Sequence, residues 1–260
     1  MGALGRGDVA VALDDHVATV EIVRPPHNYF DERLIASLAD RLADLDTEPL
    51  CRVVVLCSRG KNFCAGANFG DGGAFAGDRA SAAQRLYHQA VRMFDFSKPI
   101  IAAVQGAAIG GGLGLACAAD FRVADPASRF EANFARLGFH HGFALSVTLP
   151  AIVGQQTAAA MLLSANRING EEAVRIGLAD RLAPAGAQRQ AAQQWAAEIA
   201  RVAPLAVQSM RRTLRGDLAQ RARAALEWEL AEQARLWRTA DASEGISASL
   251  ERRPAKFVGA

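Results

Sequence analysis

Two glycine-bearing segments hold the residues best suited to chemistry. The first, Gly60-Lys-Asn-Phe-Cys-Ala-Gly-Ala-Asn-Phe69, follows an apolar run and turns on glycine. The second, Val104-Gln-Gly-Ala-Ala-Ile-Gly-Gly-Gly-Leu-Gly114, reads as a strand end, a turn and a glycine-rich helix start. Each would expose backbone N–H groups at the end of a strand. The second also aims a helix N-terminus, with its positive dipole end, at whatever lies before it. Two converging donors of this kind make an oxyanion hole, each typically worth about 2.7–4 kcal/mol of transition-state stabilisation. Taken singly, either segment also suits plain close packing of a helix on a strand. Gly110, Gly112 and Gly114 do not fit the dinucleotide-binding spacing, and the P-loop pattern is absent.

The elements that must position these segments alternate in the first half of the chain. Val9–Leu13 and Val17–Val23 read as a hairpin across Asp14 and Asp15. Asp31 can cap a helix to about Leu45 whose apolar face is Leu34, Ile35, Leu38, Leu42 and Leu45. A buried strand is expected over Arg52–Cys57, a helix over Ala80–Phe96, and a strand over Ile100–Val104. Short strands follow at Phe121–Ala124 and Arg129–Ala132. From Ala144 the pattern is mostly helical. Asn169 caps a short helix that stops at Gly177, and longer helices are expected over Ala187–Val202, Pro204–Arg215 and Asp217–Arg238. Near residue 200 the pattern changes from α/β to all-helical, which sets expected units of 1–200 and 201–260.

Composition narrows the classes. The 260 residues are 51% hydrophobic and 22% charged, enough to bury a large core, so disordered and fibrous classes drop out. A net charge of +2 argues against nucleic acid or a polybasic membrane contact as partner. Arg211, Arg212 and Arg215 could still cluster in space. Cys51, Cys57, Cys64 and Cys117 show no metal spacing and suit buried thiols in a reducing cytoplasm. Met1–Asp8 lacks signal-peptide design, and Arg6 breaks the myristoylation pattern. Ile100–Ala119 passes a crude span test with Gln105 its one polar residue, but its five glycines favour a buried strand and helix.

Together the two segments resemble motifs of the crotonase (enoyl-CoA hydratase/isomerase) superfamily. Phe63-Cys-Ala-Gly-Ala-Asn68 is similar to its F-x-A-G-x-D motif and Ala108-Ile-Gly-Gly-Gly-Leu-Gly114 to its A-x-G-G-G-x-E motif. The likeness runs from Val20-Glu-Ile-Val-Arg-Pro, through Asn169-Gly-Glu-Glu, to the closing stretch Glu244 to Gly259. It implies an α/β fold, a spiral of ββα units with a helical C-terminal trimerisation region, and homotrimers or homohexamers. It also implies an acyl-CoA substrate, with coenzyme A part of that substrate and no separate cofactor or metal. By the resemblance, the N–H groups of Ala67 and Gly111 bind the thioester oxygen. Ala65, Gly66 and Gly110 belong to the same site, and Lys256 and Phe257 lie near the CoA of the same or a neighbouring subunit.

The chain departs from the hydratase pattern where hydration needs two glutamates. Those positions fall on Gly114 and Phe134, neither of which can move a proton. Ordinary hydration is therefore expected to be weak or absent. The replacement is expected to make the acyl end larger on one side and more apolar on the other, suiting a bulky, cyclic or branched group. Among substitutes, His141 aligns by count with an aspartate of naphthoyl-CoA synthase-like members, with His140 beside it. A histidine titrating near about 6.5 suits a general base. Gly142 falls where chlorobenzoyl-CoA dehalogenase has its nucleophilic aspartate, so that route is disfavoured. His88 resembles, one residue offset, the same enzyme's water-activating histidine. Glu131 should face away from Phe134, Asn68 replaces the motif's aspartate, and Asp71 could reach the mouth from its loop. The leading expectation is a lyase, isomerase or hydrolase on an acyl-CoA. Histidine-assisted thioester or C–C bond hydrolysis and a non-catalytic acyl-CoA-binding subunit are the alternatives.

Overall fold

A computed structural model of the protein describes residues 7–70, 73, 75 and 77–260. Asp71 and Met1–Arg6 lie outside them. The hairpin forms as β1 (Val9–Asp14) and β2 (Val17–Ile22), followed by α1 (Glu32–Thr47), β3 (Val53–Ser58) and α2 (Arg79–Ala90). Next come β4 (Ile100–Val104), β5 (Ala107–Ile109), α3 (Gly111–Ala118), β6 (Phe121–Ala124) and β7 (Arg129–Glu131). The second half runs α4 (Leu145–Val153), α5 (Gln155–Ser164), β8 (Ile168–Asn169), α6 (Gly170–Arg175) and β9 (Arg181–Leu182). It closes with α7 (Gln188–Ala200), α8 (Pro204–Arg215), α9 (Leu218–Leu236) and α10 (Ala240–Glu251).

The strands form two sheets, β1-β2-β3-β4-β6-β9 and β5-β7-β8. In the larger one only the β1–β2 pair is antiparallel. β3 and β4 are buried on both faces, as parallel strands usually are. Their two-residue period divides the core. Val53, Val55 and Ile101 face α7 through Ala192, Ala196 and Ala200, while Val54, Leu56 and Ile100 face the larger core. Leu226, Trp237 and Ile246 of the C-terminal helical segment pack into that larger core.

Most expected elements form within a residue or two. Asp31 caps α1 by accepting the Leu34 N–H at 2.8 Å, and the five predicted apolar residues are buried. The helix expected over Ala80–Phe96 stops at Ala90, and a 3-10 turn continues it over Val91–Asp95. The three-residue β5 and the whole of α10 carry no clear sequence signal. The apolar stretch Ile100–Ala119 splits into β4, β5 and α3, and among the described residues no helix is long and apolar enough to cross a membrane.

Asn28 ties the entry to α1 to the first glycine loop. Its Nδ2 donates to the carbonyls of Arg59 at 2.8 Å and Asn62 at 2.6 Å, and its Oδ1 accepts the Arg24 N–H at 2.9 Å. The residue is fully buried at a φ of +51°, where asparagine is tolerated better than most side chains. Asn28→Ala would orphan those buried groups, at about 1–3 kcal/mol for each left unpaired. A lower urea midpoint at unchanged slope is the expected result.

Candidate active site

The two glycine segments lie side by side. The Cys64 N–H donates to Ala107 O at 2.9 Å and the Ile109 N–H to Cys64 O at 3.0 Å, a short parallel pairing between the loops. Asn62 reinforces it by accepting the Ala107 N–H through Oδ1 at 3.0 Å. Two glycines make the approach possible. At Gly66, φ is +82° and an added Cβ would lie 2.7 Å from Ile109 O; at Gly112 it would overlap Cys64 O. Gly110 is held from the other side, its N–H donating to Glu131 O at 2.8 Å. The buried Glu131 side chain points away to Arg136 (3.1 Å) and Arg167 (3.0 Å), as its strand position predicts.

Ala67 and Gly111 therefore stand together on the wall of one cavity of about 310 Å³, with Ala65, Gly66 and Gly110 around them. The Cβ position of Gly66 is 4.0 Å from the Gly111 N, which measures how close the loops come. Gly111 is the first residue of α3, so its N–H has no partner inside the helix. Among the described residues, neither the Ala67 nor the Gly111 N–H donates to another loop or turn. The remaining wall is largely aromatic. Phe134 packs edge-on to Phe139 at 5.9 Å between ring centres, and Phe139 is tilted against Trp237 at 5.5 Å. Among the described residues that line the cavity there is no carboxylate and no histidine. Its polar residues include Asn68, Asn133, Tyr87 and Arg252, and the Tyr87 hydroxyl accepts from Gln233 Nε2 at 3.4 Å. Burial pushes the Tyr87 hydroxyl above the usual tyrosine range, so it stays protonated and is not a base.

Both positions of the expected glutamates are apolar, but one expectation fails. The pocket is not enlarged beside Gly114. An added Cβ there would overlap Phe143 Cβ and lie 2.7 Å from its Cγ, so Phe143 fills the space that a side chain at 114 would take. Phe143 is fully buried, at a φ of +62°. The space beside Gly114 is filled, not open.

The histidines are placed elsewhere. His140 and His141 line a neighbouring cavity of about 880 Å³ that shares Phe134 and Phe139 with the first. The Phe134 ring is 6.4 Å from the His141 ring, and its Cζ is 3.8 Å from the Cβ position of Gly110. One aromatic ring thus lies between the Gly110–Gly111 segment and His141. His141 Nε2 is 2.8 Å from Ser146 Oγ, while His140 Nδ1 donates to the His141 carbonyl at 2.8 Å. Burial and the adjacent His140 hold His141 down to about 4, which corrects the expected near-neutral titration. His88 is exposed near Glu227, away from either cavity. Phe257 lines the second cavity and Lys256 a separate surface hollow, so within one chain neither reaches Ala67 and Gly111. Arg211 and Arg215 do cluster, sharing Asp120 at 2.9 and 2.7 Å.

Sequence reasoning missed Phe143, Ser146 and Glu229. Phe143 sits in a loop already singled out, but its contact with Gly114 joins residues far apart in the chain. Glu229 lies in Glu227-Trp-Glu229 of α9, a pattern that reads as a solvated helix face, and yet it is fully buried.

Paired loops presenting free N–H donors at the start of a short helix, inside this two-sheet fold, define the crotonase class. A family profile described as Enoyl-CoA hydratase/isomerase matches residues 13–260. A Mycobacterium tuberculosis protein named probable enoyl-CoA hydratase echA6 is 35% identical over 253 residues, covering 97% of this chain and 100% of its own. The (E)-benzylidenesuccinyl-CoA hydratase of Thauera aromatica is 33% identical, covering 97% and 99%. The crystal structure of an enoyl-CoA hydratase/isomerase from Pseudoalteromonas atlantica superposes with a TM-score of 0.87 at 28% identity, covering 97% and 100%. The chain belongs to the enoyl-CoA hydratase/isomerase family.

Gly114→Ala should destabilise the protein by about 1–3 kcal/mol through overpacking. Adding Phe143→Ala should return part of that loss, read as a non-additive double-mutant cycle in urea. For His141, the folded chain resists the proton that the unfolded chain takes up near about 6.5. Its contribution is therefore present above about 6.5 and lost as pH falls toward 4. His141→Asn should flatten that part of the acid-side fall in thermal midpoint.

Proposed function

We propose that this protein binds an acyl-CoA thioester with its carbonyl oxygen between the N–H groups of Ala67 and Gly111, and that ordinary hydration is weak or absent. The observation that carries this reading is the pair of unspent N–H donors in a cavity whose lining, among the described residues, holds neither carboxylate nor histidine. Water activation needs a base within hydrogen-bond reach, and Phe134, Gly114 and Phe143 offer none. Polarisation of the thioester needs only the two donors, each worth about 2.7–4 kcal/mol to a developing enolate or tetrahedral anion. Coenzyme A arrives as part of the substrate, and no separate cofactor is required. Aromatic walls suit an aryl or cyclic acyl group, in keeping with the benzylidenesuccinyl-CoA named for one relative. A homotrimer or homohexamer accords with the exposed Leu205, Met210 and Leu214 of α8. In such an assembly Lys256 and Phe257 contact the CoA of a neighbouring subunit.

A second reading has one observation in its favour. His141 is neutral through the physiological range, is tied to a buried carboxylate through Ser146, and lies one ring behind the oxyanion loop. Displacement of Phe134 would bring that histidine to the bound acyl group as a base, with thioester or C–C bond hydrolysis as outcomes.

Crotonyl-CoA and cinnamoyl-CoA distinguish these readings, with turnover followed as loss of enone absorbance and binding followed by calorimetry. Both thioesters should bind. Crotonyl-CoA hydration should fall at least about a hundredfold below that of a two-glutamate relative, the typical worth of general acid–base catalysis. Fast crotonyl-CoA hydration would overturn the proposal. Slow hydrolysis abolished by His141→Ala, with binding intact, would select the second reading. Binding without turnover of either thioester would mark an acyl-CoA-binding subunit.

A further inference from the structure

The site lacks both expected glutamates, yet one buried carboxylate reaches its back wall from α9. Glu229 Oε2 accepts the Ala144 N–H at 2.9 Å, and Oε1 accepts the Ser146 N–H at 2.9 Å and the Ser146 hydroxyl at 2.6 Å. These bonds cap the start of α4 from a distant element, where no local side chain does so. They also hold Phe143 and Ala144, at φ values of +62° and +56°, in a conformation that such residues rarely adopt. The Phe143 ring over Gly114 thus depends on the same carboxylate. Ser146 Oγ has one proton, which it gives to Glu229, so at its His141 side it can only accept. His141 Nε2, 2.8 Å away, must then carry the hydrogen, and in a neutral imidazole the other nitrogen is bare.

We infer that Glu229, acting through Ser146, is a positioning residue that fixes His141 as its Nε2–H tautomer and leaves Nδ1 as the proton acceptor. What Nδ1 acts on rests on the second reading above; the tautomer itself does not. Burial holds His141 down to about 4 and pushes Glu229 up to about 7, so at pH 8.5 the ring is neutral and the carboxylate charged. In that state the direction of the relay is fixed.

The test is ring ¹⁵N spectroscopy of the full chain at pH 8.5. His141 should show a protonated Nε2, a bare Nδ1 and a slowly exchanging Nε2–H. Ser146→Ala removes an exposed hydroxyl and should speed that exchange by about tenfold or more, the worth of a hydrogen bond linked to a charged group. Glu229→Gln keeps the shape but can hand an amide proton to Ser146 Oγ, and should move the ring toward the Nδ1–H form. A wild-type ring protonated at Nδ1, or spectra unchanged in both variants, would overturn the inference. Exchange of the α-protons of butyryl-CoA in D₂O reports separately on His141 as a base. Exchange unaffected by His141→Ala would end that reading while the ring spectrum still decides the tautomer.

Discussion

The site depends on two backbone hydrogen bonds, Cys64 N–H to Ala107 O and Ile109 N–H to Cys64 O. They hold two loops from different strands in parallel register, so that the N–H groups beyond them, at Ala67 and Gly111, reach the same cavity. Neither donor needs a side chain, and both are fixed before a ligand arrives. Preorganisation of this kind is what makes an oxyanion hole effective, because no dipole has to turn as charge develops. The glycines follow from it. Gly66 and Gly112 are required because the partner loop's carbonyl oxygens occupy the space where a Cβ would be.

A second constraint acts behind the first. Packed rings close this part of the site: Phe134 closes one side and Phe143 fills the volume over Gly114. A glutamate at 114 is sterically incompatible with Phe143 in its present place, so the two positions have to be considered together. The strained Phe143–Ala144 backbone stays where it is because Glu229 accepts hydrogen bonds from either side of Leu145. One carboxylate on α9 thus supports the cavity wall, caps α4 and orients His141. Its three hydrogen-bond donors ease the cost of burying it.

Much of this was readable from residue order. Asp31 and the Leu34–Leu45 stripe announce α1, the uninterrupted apolar runs announce β3 and β4, and Asn169 announces α6, because each signal is local and periodic. The close approach of the two loops was readable because its requirement for glycine is written in two short segments. β5 was not, since three residues in a turn-rich stretch have no period. The filled space at Gly114 and the burial of Glu229 were not either. Each depends on a contact between elements separated by roughly thirty to ninety residues, and the same letters fit an open pocket or a solvated helix face.

The sequence by itself determined the family and the sheet-forming elements, and it marked the two glycine segments, because these reside in residue types at fixed local spacing. Only the tertiary structure decided that His141 stands behind Phe134 and not in the cavity of Ala67 and Gly111. It likewise decided that the pocket is plugged and not widened, and that a glutamate on a distant helix organises its back wall. Those outcomes are set by which side chains compete for one volume and which buried polar groups must pair. Neither is defined until the chain has closed on itself.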